Sequence, residues 1–349
     1  MKGKMKVAVM PEKRKLEIVE KDIPQPRYGE LQIKLEYVGV CGSDLHFYND
    51  GRIGNWVPDE PLVLGHEPGG VVVEVGEGVT GFKVGDRICI EPGVGCGECE
   101  MCKKGLYNLC ADMSFMAIPH QRDGVWSEYC THPANMCYKL PSNVSTLEGA
   151  LIEPLAVGFH AVSMAGASIG QSAVVLGCGC IGLVTIMVLK ACGINEIYAV
   201  DIVEKRLQKA AELGATKILR SDQIDVEKFI GSLPNGGVNH VFETAGIEST
   251  MLLSAKLIQN GGTVTLVGMC SKPEITYDIG SLEAKEGKIV TVFRYRNLYP
   301  IAIKAVSQGL IPLKSIVSHE FAFSDIVKGV AYSNSNKADV IKAVIKFVD

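Results

Sequence analysis

The chain has 349 residues, more than one hydrophobic core usually serves, so two domains are expected. Its 47% hydrophobic and 21% charged residues are ordinary for a globular protein. A formal net charge of -4, with the basic residues scattered, argues against nucleic acid or an anionic membrane as a partner.

The opening segment "MKGKMKVAVM" lacks the apolar stretch of a secretory leader. The most apolar run, "CGCIGLVTIMVLKACG", contains Lys190 and is too short to span a bilayer. The expected location is the cytoplasm. Over the first 140 residues, "MKVAVM", "KLEIVE", "ELQIKLEYVGV", "GGVVVEVG" and "DRICIEP" are short β-branched or alternating runs between frequent turn signals. They predict a partly open barrel or sandwich. After about residue 155 the texture changes. "QSAVVLG", "EIYAVD", "TKILR", "VNHVFETAG" and "TVTLVGM" read as strands. Between them, "CIGLVTIMVLKACG", "VEKRLQKAAELG", "DVEKFIGSL" and "ESTMLLSAKLIQNGG" read as helices. This alternation predicts an α/β domain with a doubly wound parallel sheet over residues 155–285. Residues 1–154 and 286–349, including "KIVTVFRY", are expected to form the other domain, into which the α/β domain is inserted.

"VVLGCGCIG" sets Gly177, Gly179 and Gly182 in G-x-G-x-x-G spacing between a strand and a helix. The first glycine permits a tight turn, the second a close approach of backbone to a pyrophosphate, and the third close helix–strand packing. Asp201 ends the next strand, nineteen residues past Gly182, where a carboxylate accepts both ribose hydroxyls and repels a 2′-phosphate. Ile202 and Val203 offer that phosphate no charge, whereas Arg206, one turn on, could face either way. The domain reads as binding NAD rather than NADP.

Of twelve cysteines, Cys96, Cys99, Cys102 and Cys110 cluster in "GCGECEMCKKGLYNLC". In a reducing compartment such a cluster binds metal rather than forming disulfides. Four thiolates fill a tetrahedral zinc shell, so the lobe at about 91–112 reads as structural, with an iron–sulfur cluster as the rival. Lys103 and Lys104 could offset the excess negative charge. A catalytic zinc needs an open position and fewer protein ligands. Cys41 in "GVCGSDLHFY", His66 and Glu67 in "LGHEPGG" and Glu153 in "GALIEPLAVGFHA" are candidates. Taken singly, each is as compatible with core packing or a satisfied hydrogen bond.

Taken together, "VGVCGSDLHFYNDGRIGNW", "LGHEPGGVVVEVGEGV", "GDRICIEPG", the cysteine lobe, "GALIEPLAVGFHA" and "VTVFRYRNLYP" resemble, in order and over the whole chain, the zinc-containing medium-chain dehydrogenase superfamily. The likeness is to its sorbitol (polyol, L-iditol) dehydrogenase branch in particular. The resemblance implies a GroES-like catalytic domain, a Rossmann NAD domain, two zinc ions per chain and a homotetramer. It implies that Cys41, His66 and Glu67 ligate the catalytic zinc, and that Glu153 either binds it or holds its water. Ser43 and His46 match proton-relay positions, while Tyr48, Arg294 and Tyr295 match positions lining a polyol pocket. The implied reaction oxidises a secondary hydroxyl to a ketone. Threonine, 2,3-butanediol and sugar-alcohol phosphates are alternative substrates, and a non-catalytic zinc- and nucleotide-binding relative is the alternative of another class. His120, His132, His160, His240 and His319 receive no role.

Overall fold

The computed structural model describes residues 2–270, 272 and 274–348. The chain divides into two compact units. The first comprises Met1–Glu153, Tyr299–Ser307 and Leu313–Asp349, and the second Pro154–Leu298 and Gln308–Pro312.

In chain order the first unit opens with β1 (Lys4–Glu12), β2 (Lys15–Asp22) and β3 (Glu30–Val40), then α1 (Gly42–Asp50). There follow β4 (Leu62–Val63), β5 (Pro68–Val75), β6 (Arg87–Ile90), β7 (Gly93–Val94), the one-turn α2 (Glu100–Lys103), β8 (Ser114–Phe115), β9 (Tyr129–Pro133) and β10 (Cys137–Lys139). The strands read from the sequence as "MKVAVM", "KLEIVE", "ELQIKLEYVGV", "GGVVVEVG" and "DRICIEP" correspond to β1, β2, β3, β5 and β6. α3 (Thr146–Ala165) leads out of this unit.

The second unit carries β11 (Ser172–Leu176), α4 (Cys180–Ala191), β12 (Glu196–Asp201), α5 (Glu204–Glu212), β13 (Lys217–Arg220), α6 (Val226–Gly231) and β14 (Val238–Glu243). It continues with α7 (Glu248–Leu257), β15 (Ile258–Leu266), α8 (Ile279–Glu283) and β16 (Lys288–Thr291). These strands form one parallel sheet in the order β13-β12-β11-β14-β15-β16. The order reverses between β11 and β14, and in such sheets ligands bind beyond the strand ends at that reversal. The central strand β11 is buried at every residue, as expected of a parallel strand flanked on both sides, whereas the edge strands β13 and β16 are partly exposed. Val174, Leu176, Val241 and Val264 are all without exposure in its core.

Two details differ from the sequence reading. The helix expected over "ESTMLLSAKLIQNGG" stops at Leu257, because Ile258 pairs with Val238 and the chain runs on as β15. "KIVTVFRY", expected to begin the return to the first domain at 286, instead supplies β16, which pairs with β15 from Thr263↔Lys288 to Leu266↔Thr291. The chain rejoins the first unit at α9 (Tyr299–Ser307).

The first unit is then completed by β17 (Val317–Ala322), α10 (Ile326–Ser335) and β18 (Lys342–Lys346). A seven-stranded sheet runs β10-β6-β5-β3-β18-β17, with β9 also pairing β3, and a smaller sheet runs β2-β1-β4. β18 lies antiparallel to β3, setting Ala343 against Val40. Leu31, Ile33, Leu35, Val72, Ile88 and Trp126 fill the core beneath, all fully buried. The C-terminal end of β3, beside β18, positions one of the two donor clusters described next.

Candidate metal centres and cofactor loop

The four-cysteine lobe is the connection between the paired strands β7 and β8. The sulfurs of Cys96, Cys99, Cys102 and Cys110 all lie within 4.8 Å of one another. Backbone amides point at them: Cys96 N–H donates to Cys110 Sγ, Cys99 N–H to Cys96 Sγ and Cys102 N–H to Cys99 Sγ, each at 3.4 Å. Amides of Cys99 and Glu98 hold the Cys96 thiol down to about 7, whereas burial pushes Cys102 up to about 12. Four sulfurs in one cage, met by N–H donors, fit a tetrahedral thiolate site with no open position. Lys104, in the same lobe, is paired with Glu100 at 2.6 Å. The lobe is tied to the sheet through Glu91, whose carboxylate accepts from Tyr107 at 2.5 Å and Tyr138 at 2.9 Å. Burial pushes that carboxyl up, while the two tyrosines oppose the shift.

The second cluster is built where β3 gives way to α1. Cys41 is the N-cap residue of α1, and its thiol, the His66 imidazole and the Glu67 carboxylate offer donor atoms within 4.8 Å of one another. Asp44, 1% exposed, holds the segments that carry Cys41 and His66. Its Oδ2 accepts from Cys41 N–H at 2.9 Å, and its Oδ1 accepts from Gly65 N–H at 2.9 Å and lies 3.6 Å from His66 Nδ1. Burial works against a protonated His66, but Asp44 and the Cys41 sulfur outweigh it and raise the imidazole well above its usual range. The His66 ring also rests 5.7 Å from that of Phe115.

Glu67 is 1% exposed and faces the side chain of Lys342, 2% exposed, from β18. Lys342 Nζ also donates to Val40 O at 3.1 Å. The contact with Glu67 is one of charge, since Oε2 lacks an aligned hydrogen-bond donor. A Cβ at Gly39 would come within 1.7 Å of that oxygen, so the carboxylate fits only because residue 39 has no side chain. A buried carboxylate oxygen without a donor, beside a thiol and an imidazole, suits a divalent cation. Soft, borderline and hard ligands in one set match zinc, and three ligands leave a fourth position open.

Glu153 is buried on α3 but is not a member of the group within 4.8 Å. Ser43 and His46 lie three residues apart on α1, both half-buried, with His46 Nδ1 3.6 Å from Asp50 Oδ2. Tyr48 is buried on the same helix. Arg294 and Tyr295 belong to the second unit, just beyond β16, with Tyr295 buried.

In the second unit, Gly177 and Gly179 join β11 to α4 at the reversal of strand order, and Gly182 lies in the first turn of α4. Gly177 has φ +92°, a left-handed turn that side chains avoid. A Cβ on Gly182 would strike Gly177 O at 1.9 Å, while one on Gly179 would meet nothing within 4 Å. The loop is therefore tight at its ends and open at its middle, where a pyrophosphate would approach the α4 N-terminus. Asp201 Oδ2 accepts from Cys178 N–H at 2.7 Å, and Oδ1 from the amides of Ile202 and Val203. Arg206 is near enough for its charge to act on the Cys178 thiol.

Asp44, Lys342, Gly39 and Phe115 were not singled out by the sequence reading. Asp44 carried one signal, as the third residue of the α1 capping box. Lys342 carried another, as a cation opening the otherwise apolar "KAVI".

Comparison with known proteins agrees with this geometry. The alcohol dehydrogenase GroES-like domain matches residues 27–142, and the zinc-binding dehydrogenase domain matches 180–308. An uncharacterised zinc-type alcohol dehydrogenase-like protein of Escherichia coli is 42% identical, with 96% of each chain covered. The sorbitol dehydrogenase of Bacillus subtilis is 36% identical over 98% of this chain and 97% of its own. The crystal structure of an Escherichia coli oxidoreductase/dehydrogenase of unknown specificity superposes with a TM-score of 0.96 at 40% identity, covering 99% of this chain and 100% of that one. The chain belongs to the zinc-containing medium-chain dehydrogenase superfamily. It is an oxidoreductase built from a GroES-like domain and a Rossmann-type domain.

Proposed function

We propose that the protein oxidises a secondary hydroxyl of a polyol of the sorbitol or xylitol type to the ketose, with NAD as acceptor. The observation that carries this reading is the donor set itself, one thiol, one imidazole and one carboxylate within 4.8 Å of one another, with Asp44 holding the Cys41 backbone and facing His66. The likeness to sorbitol dehydrogenase over nearly the whole chain supports the choice of a polyol. Cys41, His66 and Glu67 would hold a zinc ion, with Glu153 as an added ligand or a holder of water, and the four cysteines would hold a second, structural ion. When bound, the first ion supplies a Lewis acid that lowers the pKa of a substrate hydroxyl, and NAD supplies the hydride acceptor.

The chain's own residues do the rest. Asp44 fixes the orientation of His66, and Lys342 balances the charge of Glu67. Ser43 takes the hydroxyl proton and passes it to His46, whose partial exposure lets it exchange with water. Arg294, Tyr48 and Tyr295 would meet the further hydroxyls of a polyol, so that a simple alcohol leaves their donors unpaired. Asp201 at the end of β12 favours NAD, whose ribose it can accept, over NADP, whose 2′-phosphate it repels. The edge strand β16, with Ile289 and the following Phe293 partly exposed, is a surface on which subunits can associate, consistent with a homotetramer. Among the described residues no helix is long and apolar enough to cross a membrane, and we assign the enzyme to the cytoplasm.

The test is NADH formation with sorbitol, xylitol, ribitol, threonine, 2,3-butanediol and ethanol, repeated with NADP and after chelation. Chelator-sensitive, NAD-preferring turnover of a polyol is expected. Turnover of threonine or butanediol alone would refute the roles given to Tyr48, Arg294 and Tyr295.

A further inference from the structure

Resting on the polyol reading, we infer that His160 and Arg296 form an anchor that sets the position of Arg294 and Tyr295, making both specificity-determining positioning residues. His160 lies on α3 and is 5% exposed. Its Nε2 is 3.4 Å from an Nη of Arg296. A guanidinium only donates, so Nε2 is the acceptor and the ring proton sits on Nδ1. Burial, and then the Arg296 charge, hold this imidazole down at about 4. It is therefore neutral, and an acceptor, throughout the physiological range.

What needs anchoring is the segment between β16 and α9. The ladder ends with Val292 N–H donating to Leu266 O at 3.0 Å. The next five residues then change conformation sharply. Arg294 has φ +55° and Asn297 φ +57°, both in the left-handed region that residues other than glycine avoid. Two such residues within four positions persist only where the surroundings hold them. The Arg294 guanidinium lies 4.8 Å from the centroid of the Phe293 ring, which is 46% exposed, while Tyr295 is 3% exposed. Side chains therefore alternate in setting, and Arg296 is hydrogen-bonded to His160 on α3. Without that bond the left-handed residues can relax, and Arg294 and Tyr295 turn with them. The effect falls on the additional hydroxyls of a polyol, which meet these donors, and not on the reacting hydroxyl, which a simple alcohol also has.

The test compares His160→Leu and His160→Gln with the unaltered holoenzyme, using sorbitol and 2-butanol as substrates. His160→Leu is expected to lower kcat/KM for sorbitol roughly tenfold or more relative to 2-butanol, with KM for NAD unchanged. His160→Gln, whose amide oxygen can take the place of Nε2, is expected to recover most of that loss. A parallel fall for both substrates, or no change for either, overturns the anchor, because a merely structural role would not separate them. Amide hydrogen exchange over residues 293–297 gives a readout independent of substrate. Faster exchange in His160→Leu is expected, and unchanged exchange overturns the inference. If the unaltered enzyme turns over 2-butanol and no polyol, the polyol reading fails by itself and the exchange result decides the anchor.

Discussion

Replacing Lys342 by methionine removes an ammonium while keeping an unbranched chain of similar length in β18. In the structure this ammonium serves Val40 O and Glu67, and both side chains of the ion pair are nearly without exposure. Removing one partner of a buried pair costs about 3–5 kcal/mol, because the remaining charge is left in a poorly solvating interior. Against a typical stability of roughly 5–15 kcal/mol this is a large fraction. For units of this size each kcal/mol shifts Tm by about 2–4 °C, so a fall of roughly 6–20 °C is expected in metal-free protein. The assay is thermal unfolding by circular dichroism after exhaustive dialysis against chelator, with and without added zinc. Zinc should narrow the gap, since a cation held by Cys41, His66 and Glu67 supplies the missing positive charge. Adding Glu67→Gln should restore most of the metal-free loss, because the stranded charge is then gone. A Lys342→Met protein within about 2 °C of the unaltered one without metal, or a double variant no better than the single, would sink the argument.

Cys102→Ser should lower bound zinc from two ions to one per chain and reduce Tm, with the ion at Cys41 and His66 retained; metal analysis of the purified protein reads this directly. Unchanged zinc content would show that the lobe is not the closed site. Asp201→Ala should raise KM for NAD about tenfold while raising that for NADP less, because it removes both the ribose acceptor and the charge repelling a 2′-phosphate. Equal changes for both cofactors would contradict that role. The buried His132, whose Nε2–H donates to Glu91 O at 2.9 Å and whose Nδ1 faces Arg122 at 3.1 Å, is held at about 3 by burial and the Arg122 charge. The unfolded chain binds a proton there below about pH 6.5 and the folded chain does not, so stability from this group is full above that pH and falls with acidification. The loss is about 2 kcal/mol by pH 5. Urea midpoints of the unaltered protein and His132→Gln should converge as pH drops from 8 to 5, and a constant difference would refute the sign.

How far the sequence reached depended on how local each signal was. The second unit was legible because its strands are apolar runs each followed by a helix, and the three glycines that shape its loop lie within six residues. The cysteine lobe was legible for the same reason. Cys41 and His66 are separated by 25 residues and look singly like core, so only the resemblance joined them. Asp44 and Lys342 escaped notice because nothing in their neighbours announces a metal site. The bond from Lys342 to Val40 spans 302 residues and exists only through the pairing of β18 with β3. The placement of "KIVTVFRY" was missed on similar grounds. Its pattern is that of a strand, and which sheet it joins is decided by β15, not by its own residues.

The pairing of β18 with β3 also bears on the order in which the protein can be made. A ribosome delivers Cys41, His66 and Glu67 early, yet the cation that balances Glu67 and the strand that covers that edge of β3 emerge only after the whole of the second unit. The second unit, contiguous through all six of its strands, can fold while the first is still waiting for its remaining strands. During that interval the first unit exposes an unpaired sheet edge and an unbalanced carboxylate beside a free thiol. A nascent chain stalled before residue 342 should accordingly protect its second unit from protease while its first unit is cleaved.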